Sequence, residues 1–331
     1  MHMIKHNHPK RHKGRKALFL VAFFVLLGVF AFQYFNEPSV SKVDGASVVA
    51  VSTPVVRKPV PRDHPFISIT PLETRPGEPA LITVEGLTST TSVKSFTFDN
   101  RPLIIFLYEG QVSALLGVDL RAIPGTFPLV LTLRDGQQIK ENFIISERVV
   151  VQKPFDIPDK LGGNTPVSEK ALITSLAQEG KIINAIFTSN QRFWTDKFGL
   201  PLKGPLVVSD PYGYTRLLGK STTMPHKGTD FQASIGTPVY VMNRGVVGFV
   251  GNLRNYGKVV VIDHGVGLQT VYMHLSEINV VNGQIVEKGE QIALSGDTGY
   301  VLGPHLHVTV RIWDISIDPM KFLELLGDGN Y

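Results

Sequence analysis

The sequence of 331 residues contains no cysteine. This absence excludes disulfide bonds, cysteine-ligated zinc, a cysteine nucleophile and lipid attachment through a cysteine. It leaves the cellular compartment open, because many exported proteins also lack disulfides. The chain is long for a single core and gives room for two domains with connecting segments.

The sequence also lacks an excess of charge once its first 16 residues are set aside. The formal net charge is +5, from 33 Lys and Arg against 28 Asp and Glu. Residues 1–16 hold six of these basic residues and no acidic one, so 27 basic residues remain against 28 acidic ones. Binding to nucleic acid requires Lys and Arg clustered on one face. The near-neutral remainder therefore argues against a nucleic-acid partner.

One long apolar run follows the basic leader directly. Residues 17–32 carry no polar or charged side chain, and Tyr34 and Phe35 come next as interface aromatics. We predict a single-pass anchor over 17–35 in the cytoplasmic (inner) membrane, with the leader 1–16 in the cytoplasm and the body in the periplasm or cell exterior. A cleaved signal sequence and a buried core helix are the alternatives, and the basic flank disfavours the second.

The region after the anchor changes composition twice before any helix is predicted. Residues 36–64 are rich in proline and lack helical periodicity, which predicts an extended linker. Residues 65–152 carry short alternating apolar runs, such as Ala80, Ile82 and Val84, separated by turn signals. This pattern predicts a small antiparallel β-sandwich module that serves as a spacer or binding module.

A connector and a second β-rich domain complete the chain. Residues 153–192 predict a helical connector, with a helix over 168–188 that starts at the N-cap Ser168 and packs between the domains. Residues 193–331 return to strands punctuated by glycine, which predicts a domain of antiparallel β-sheet. The fold class is therefore mainly β. The predicted strands of this domain are Val239–Met242, Val246–Val250, Val259–Ile262, Leu268–Tyr272, Gln291–Leu294 and Leu306–Val310.

Four histidines and one aspartate in this last domain are spaced like a zinc hydrolase site. His305 and His307 are two residues apart on a predicted strand, so both imidazoles point to one face. His226 and Asp230 lie four apart around Gly228, and His274 comes two residues after the predicted strand Leu268–Tyr272. Each histidine alone is more often structural than a ligand. Together they exceed the three protein ligands that catalytic zinc needs, which suggests that the surplus serves proton transfer.

These residues stand in a series of motifs that resembles the lysostaphin-type M23 metallopeptidases. The resemblance runs in order from about residue 209 to 325, and residues 211–213 with Arg216 resemble the family's entry segment. A single motif of this kind is weak, whereas the ordered series is specific. The motifs are His226-Lys-Gly-Thr-Asp230, Gly236-Thr-Pro-Val-Tyr240, Val261-Ile-Asp-His264-Gly, Thr270-Val-Tyr272-Met-His274-Leu-Ser276, Gly283-Gln-Ile-Val-Glu-Lys-Gly289 and Gly303-Pro-His305-Leu-His307.

The resemblance implies a role for each site residue. It implies that His226, Asp230 and His307 bind Zn2+ and that His274 and His305 are catalytic, without deciding which of these two takes a proton. It further implies a membrane-anchored bacterial endopeptidase that hydrolyses the peptide cross-links of peptidoglycan and binds its peptide stems. Any regulatory protein partner is left unassigned.

The chain departs from the family pattern just after His307. Many members place an aromatic residue and then Glu there, whereas this chain has Val308 and Thr309. The change touches no ligand and is expected to affect ligand orientation. Asp263, Asp297 and His264 lie close to glycines at strand ends and are interpreted as structural residues.

Two other functions compete with the peptidase. One is a catalytically silent M23-like scaffold that binds murein or activates another hydrolase; such domains typically lose site residues, and all five are present here. The other is a biotinyl or lipoyl carrier hairpin at residues 281–289. It lacks an attachment Lys at a compatible tight turn and leaves the histidines unexplained.

Overall fold

The computed structural model describes residues 64–157, 159, 162–218 and 222–329. The predicted leader and anchor, and the predicted linker up to residue 63, lie outside these residues. Within the described part of the chain, no helix is long and apolar enough to cross a membrane. The described residues all belong to one compact unit.

The first β-rich region consists of nine short strands. They alternate with tight turns, among them Asp99-Asn100, where both residues have positive φ angles of 45° and 62°. The strands are β1 (Phe66–Thr70), β2 (Glu73–Thr74), β3 (Pro79–Glu85), β4 (Val93–Phe98), β5 (Arg101–Pro102), β6 (Ile105–Tyr108), β7 (Gln111–Gly117), β8 (Gly125–Leu133) and β9 (Gln138–Ile145).

These nine strands form two sheets that share one apolar core. The first sheet has the order β1-β3-β7-β6 and the second β2-β9-β8-β4-β5. Ala80, Ile82 and Val84 are all fully buried in the core, as their alternation predicts. The β2–β9 pair is parallel. The prediction of a wholly antiparallel module is therefore wrong at this edge, where β9 returns to lie beside the much earlier β2.

The connector begins with a short strand and contains one long helix, β10 (Gln152–Pro154) and α1 (Pro166–Asn184). The predicted N-cap is wrong: Thr165 caps the helix, and its side chain accepts a hydrogen bond from the Ser168 amide at 3.2 Å. Pro166 at the first turn explains the earlier start, because its fixed φ suits that position. The helix also ends at Asn184, four residues before the predicted end. Beyond it, Thr188 Oγ1 donates to the carboxylate of Asp263 at 2.7 Å.

The buried residues of α1 contact the C-terminal region. Ile183 packs with Val259, Val261 and Val271, while Glu179 bonds to the amide of Asn255. The two β-rich regions meet elsewhere, around Trp194. Its ring lies 5.8 Å from that of Phe106 and 5.2 Å from that of Tyr108, both on β6. The helix thus lies between the two regions in sequence, and the regions also contact each other directly, through these rings and through the amide of Asp318, which donates to the carbonyl of Gly77 at 2.7 Å.

The C-terminal region is built from thirteen strands and one short helix. The helix α2 (Pro319–Leu326) is capped by Asp318, which accepts from the Met320 amide. The strands are β11 (Val208–Asp210), β12 (Thr215–Leu218), β13 (Thr222–Pro225), β14 (Thr229–Phe231), β15 (Pro238–Tyr240), β16 (Gly245–Leu253), β17 (Gly257–Gly265), β18 (Leu268–Leu275), β19 (Glu277–Ile278), β20 (Ile285–Val286), β21 (Gln291–Leu294), β22 (Leu306–Ile312) and β23 (Ile315–Ile317).

One large sheet dominates this region. Its order is β11-β14-β22-β18-β17-β16-β20, with β23 paired to β22, and all its pairs are antiparallel. Two smaller sheets, β15-β21-β19 and β10-β12-β13, lie beside it. The β10–β12 pair is parallel. The long chain segment between these two strands contains α1. The mainly β fold class is confirmed, and each of the six predicted strands overlaps an observed one.

Candidate metal centre

Three neighbouring strands bring the predicted site residues together. In the order β14-β22-β18, Asp230 on β14 lies opposite His307 on β22, and Met273 on β18 faces His307 from the other side. His274 follows Met273, and His226 lies in the loop just before β14. All of these side chains converge on one end of the sheet.

The two-residue spacing of His305 and His307 works as the sequence predicts. Leu306 between them is fully buried in the core. His305 precedes β22 and forms an isolated bridge with Gly296. Alternation along an extended segment places both imidazoles on the face opposite Leu306.

His226, Asp230 and His307 form a compact cluster of candidate ligand atoms, all within 4.8 Å of one another. Nδ1 of His307 lies 2.7 Å from Oδ1 of Asp230 and 3.2 Å from Nε2 of His226. The same Nε2 lies 3.2 Å from Oδ1 of Asp230. Two imidazole nitrogens and one carboxylate oxygen therefore point at a single position, a set that suits a divalent metal ion and leaves room for a fourth ligand.

Gly228 allows the cluster to close. A Cβ at this position would collide with the ring of His307 and lie 2.6 Å from the carbonyl oxygen of Val308. Only glycine lets the loop between His226 and Asp230 run this close to β22. The glycine within the His-Lys-Gly-Thr-Asp motif thus has a steric reason.

Hydrogen bonds on the far side of the rings orient both histidines of the cluster. Nδ1 of His226 lies 3.0 Å from the carbonyl oxygen of Pro211. A carbonyl only accepts, so Nδ1 carries a proton, and Nε2 is the nitrogen that faces the cluster, where it can donate to Asp230 when protonated or bind a metal ion with its lone pair. Nε2 of His307 lies 2.9 Å from the hydroxyl of Thr309. When that hydroxyl accepts from Nε2, the lone pair on Nδ1 faces the cluster.

Thr309, which stands where many family members have Glu, contacts His307 directly. Its side chain is buried beside the ring and offers the acceptor that orients the imidazole. A hydroxyl two residues after the second histidine can make this bond because both side chains lie on the same face of β22. In this chain a short, uncharged side chain therefore makes the hydrogen bond to His307.

A partly buried guanidinium completes the surroundings of Asp230. Nη2 of Arg216, on β12, lies 3.2 Å from Oδ2 of Asp230 and 2.7 Å from Oδ2 of Asp210. Asp210 in turn lies 3.4 Å from Nδ1 of His226. The ring of Phe155 in the connector covers the guanidinium at 4.4 Å. Motif resemblance draws attention to Arg216, but the sequence spacing gives no sign of its two carboxylate partners.

His274 and His305 lie beside the cluster with their rings 4.9 Å apart. His274 has a φ of +61°, a left-handed conformation that is uncommon for residues other than glycine. Its Nδ1 lies 2.9 Å from the carbonyl of Thr298, and Nδ1 of His305 lies 2.9 Å from the carbonyl of Gly303. Both carbonyls require a donor, so each ring keeps an unprotonated Nε2 when it is neutral.

Burial sets the protonation states at this end of the sheet. It lowers the pKa of His274 to about 3, with the neighbouring His307 and His305 acting in the same direction. It also lowers the pKa of His307 to about 4. For Asp230 burial opposes ionisation, but hydrogen bonds with His226 and His307 outweigh it and hold the carboxyl pKa well below its usual value. The site at neutral pH therefore has a charged carboxylate and neutral His274 and His307, the forms in which these groups bind metal or accept protons.

The three residues interpreted as structural lie away from the cluster. Asp263 accepts hydrogen bonds from Thr188, Ser189 and Gly265. His264 is fully buried, with Nδ1 3.0 Å from the Arg244 carbonyl. Asp297 is exposed in the loop after Gly296. None of the three contributes to the set of candidate ligands found among the described residues.

The profile of peptidase family M23 matches residues 224–319. That segment contains all five predicted site residues. It starts just before His226 and ends at the first residue of α2, and it leaves out the first β-rich region and α1.

Two curated relatives come from Vibrio cholerae serotype O1. The chain is 36% identical over 173 residues to peptidoglycan DD-endopeptidase ShyA, which covers 50% of this chain and 40% of that protein. It is 32% identical over 230 residues to peptidoglycan DD-endopeptidase ShyB, which covers 65% of this chain and 53% of that protein. The chain therefore matches about half the length of these relatives or less.

A solved structure extends the likeness beyond the family segment. A crystal structure of a Pseudomonas aeruginosa protein assigned to peptidase M23 superposes with a TM-score of 0.55 and 26% identity, covering 75% of this chain and 94% of that one. The ordered motifs, the family match over the five residues and these relatives agree. Residues 224–319 therefore form a peptidase M23 domain.

Proposed function

We propose that the protein is a zinc-dependent endopeptidase that hydrolyses the peptide cross-links of bacterial peptidoglycan. The observation that carries this proposal is the convergence of two histidines and one carboxylate beside two further histidines whose Nδ1 atoms face backbone carbonyls, with Nε2 of His305 3.6 Å from Oδ1 of Asp230. The names of the Vibrio cholerae relatives support peptidoglycan as the substrate. Family membership supports peptide hydrolysis.

The donor chemistry fits zinc. Nε2 of His226, Nδ1 of His307 and one oxygen of Asp230 are the ligand types that Zn2+ prefers, and three protein ligands are typical of catalytic sites. The bonds to Pro211 and Thr309 orient both imidazoles for this role. Zinc held there would supply Lewis acidity, which acidifies water and polarises a carbonyl group.

The two other histidines would then handle protons. Hydrolysis adds water across the C–N bond of the cross-link. A neutral imidazole with a free Nε2 can accept the proton that water loses as its oxygen adds to the carbonyl carbon, and can return it to the departing amine nitrogen. The second histidine can stabilise the negative oxygen of the tetrahedral intermediate when its Nε2 is protonated, because that N–H then donates a hydrogen bond to the oxygen. His274 and His305, with rings 4.9 Å apart, are placed to divide these roles.

A catalytically silent scaffold is the competing function. Binding requires shape and hydrogen bonds, and it needs neither an oriented ligand set nor two further imidazoles beside it. The carbonyl bonds that fix the tautomers of His274 and His305 favour the enzyme, because tautomers matter for proton transfer.

The proposal also places the catalytic region outside the cytoplasm, in the periplasm or at the cell exterior. The basic leader before the apolar run of residues 17–32 supports that orientation. Protease treatment of spheroplasts should digest the C-terminal region and spare the leader. Full protection of the C-terminal region would contradict the orientation.

The function is tested with a purified cross-linked muropeptide dimer. The full-length protein should convert it to monomers, and His305→Ala should abolish conversion while retaining bound zinc. If wild-type protein leaves the dimer intact yet enhances a separate murein hydrolase, the scaffold is the correct function.

A further inference from the structure

The buried face of α1 carries a carboxylate that lies outside the segment matched by the family. Glu179 is only 5% exposed, and the matched segment begins at residue 224. Its neighbours on this face, Leu172, Ser175 and Ile183, follow helical spacing. Because a buried carboxylate is costly unless its oxygens are hydrogen-bonded, its partners identify what the helix holds.

The partners of Glu179 are two backbone amides in one tight turn. The amide of Asn255 donates to both carboxylate oxygens, at 2.9 and 3.1 Å, and the amide of Tyr256 donates to Oε2 at 3.2 Å. Ser175, one helical turn earlier, accepts from Nδ2 of Asn255 at 2.9 Å. The turn joins β16 to β17, and the side chain of Glu179 on α1 binds the backbone amides of this turn.

The carbonyl groups of this turn reach the candidate catalytic centre. The carbonyl of Tyr256 accepts from the backbone amide of His274 at 3.0 Å. The carbonyl of Asn255 accepts from the amide of Tyr300 at 2.7 Å. The amide of Tyr256 and the carbonyl of Asn255 belong to the same peptide group, so one peptide plane links Glu179 to the loop of Tyr300.

His274 needs such support because its backbone is left-handed. A non-glycine residue keeps a positive φ only where its surroundings determine it. Two bonds act on this residue: its amide to Tyr256 and its ring to the carbonyl of Thr298. Residues 252–254 and 297–299 also form the walls of a polar cleft of about 610 Å³. The turn that Glu179 holds therefore borders both the histidine and the cleft.

We infer that Glu179 is a positioning residue, whose carboxylate fixes the Asn255–Tyr256 turn and, through that turn, the backbone of His274 and the loop of Tyr300. The effect on turnover rests on the proposed function, in which His274 is catalytic. The candidate metal cluster is anchored by other residues, Pro211, Arg216 and Thr309. Loss of Glu179 should therefore change catalysis and leave zinc in place.

The test compares three variants of the full-length protein. Glu179→Gln keeps the side-chain shape but turns an –NH2 group toward backbone amides that themselves donate. Glu169→Gln removes the same charge from the first turn of the same helix. Ile183→Ala weakens the apolar docking of that helix, against which Tyr256 also packs, and leaves the carboxylate hydrogen bonds to the turn in place. Each variant is assayed for kcat and KM on the cross-linked muropeptide dimer, zinc content, melting temperature and hydrogen exchange of the amides.

In Glu179→Gln, kcat should fall by about tenfold or more, because small displacements of a catalytic group have large effects on rate. Zinc content should stay at the wild-type level, and exchange should accelerate at the amides of Asn255, Tyr256 and His274. Glu169→Gln should match wild type. Ile183→Ala should lower the melting temperature and keep kcat within about twofold at 25 °C.

Two results would overturn the inference. One is a Glu179→Gln protein with wild-type kcat and wild-type exchange at these three amides. The other is a loss of kcat that Ile183→Ala reproduces at the same drop in melting temperature, which would make Glu179 merely structural. If the wild-type protein cleaves nothing, the proposed function fails, and exchange at the three amides then decides whether Glu179 positions the turn.

Discussion

Arg216 binds the oxygen of Asp230 that faces away from the two candidate ligand histidines. Its Nη2 lies 3.2 Å from Oδ2, whereas Oδ1 lies 2.7 Å from Nδ1 of His307. The Asp230 carboxylate thus contacts the Arg216 guanidinium through Oδ2 and the candidate ligand His307 through Oδ1. This division fixes the rotation of the carboxylate and leaves Oδ1 as the ligand.

Replacement of Arg216 should therefore weaken metal binding. Arg216→Gln should lower zinc affinity by about 10- to 100-fold, the range typical for partners that orient a ligand. Arg244→Gln removes an exposed pair with Glu287 and is the matched control. Zinc competition against a chelating dye gives both affinities. Equal affinities for the two variants would show that Arg216 does not orient Asp230.

Thr309 should orient His307 through its hydroxyl. Thr309→Val keeps the shape but removes the acceptor 2.9 Å from Nε2, so zinc affinity should fall by about tenfold or more. Thr309→Ser retains a hydroxyl and should bind zinc within a few-fold of wild type. The same dye competition measures both. Identical behaviour of the two variants would exclude a role for the hydroxyl.

Ligand and catalytic roles should separate in metal analysis. Asp230→Ala removes a ligand and should abolish both zinc retention and activity. His305→Ala should abolish activity and keep most of the zinc, because its proposed role is in the transition state. Zinc content after gel filtration, measured by mass spectrometry, distinguishes the two. Full occupancy in Asp230→Ala, or none in His305→Ala, would reverse the assignment.

Acid should destabilise the fold through buried neutral histidines. Burial lowers the pKa of His264 from 6.5 to about 4, so between these values the unfolded chain binds a proton that the folded chain does not. Stability is then complete above pH 6.5 and is lost as the pH falls toward 4, by about 3 kcal/mol for this residue. Urea unfolding of chelator-treated protein at several pH values measures the slope. His264→Asn should flatten it, and an unchanged slope would contradict the explanation.

The strands of the C-terminal region could be predicted because their apolar runs are long and end at glycines. Leu306 between His305 and His307 gave the face of both imidazoles, since alternation along a strand is a local rule. The start of α1 differs from the prediction because the apolar stripe begins only after Ser168, whereas the observed start depends on the cap Thr165 and on Pro166.

Contacts between distant segments could not be predicted from spacing. Arg216 meets Asp230 because β12, in a small sheet, lies near β14 of the large sheet, and Glu179 meets Asn255 across 76 residues of chain. Motif order located the ligands because a metal needs particular side chains. A residue that orients such a ligand needs only one hydrogen-bonding atom, so its type is less restricted than that of the ligand. Thr309 uses a single hydroxyl.

The most direct test of the central claim is a zinc titration of chelator-treated full-length protein, with cleavage of cross-linked murein followed by mass spectrometry of the fragments. We predict no cleavage without metal and release of uncross-linked peptide stems that rises with bound zinc and saturates at about one ion per chain. Asp230→Ala should release none at any zinc concentration. Cleavage that persists in the metal-free protein, or no cleavage at full zinc occupancy, would contradict the assignment of a zinc endopeptidase.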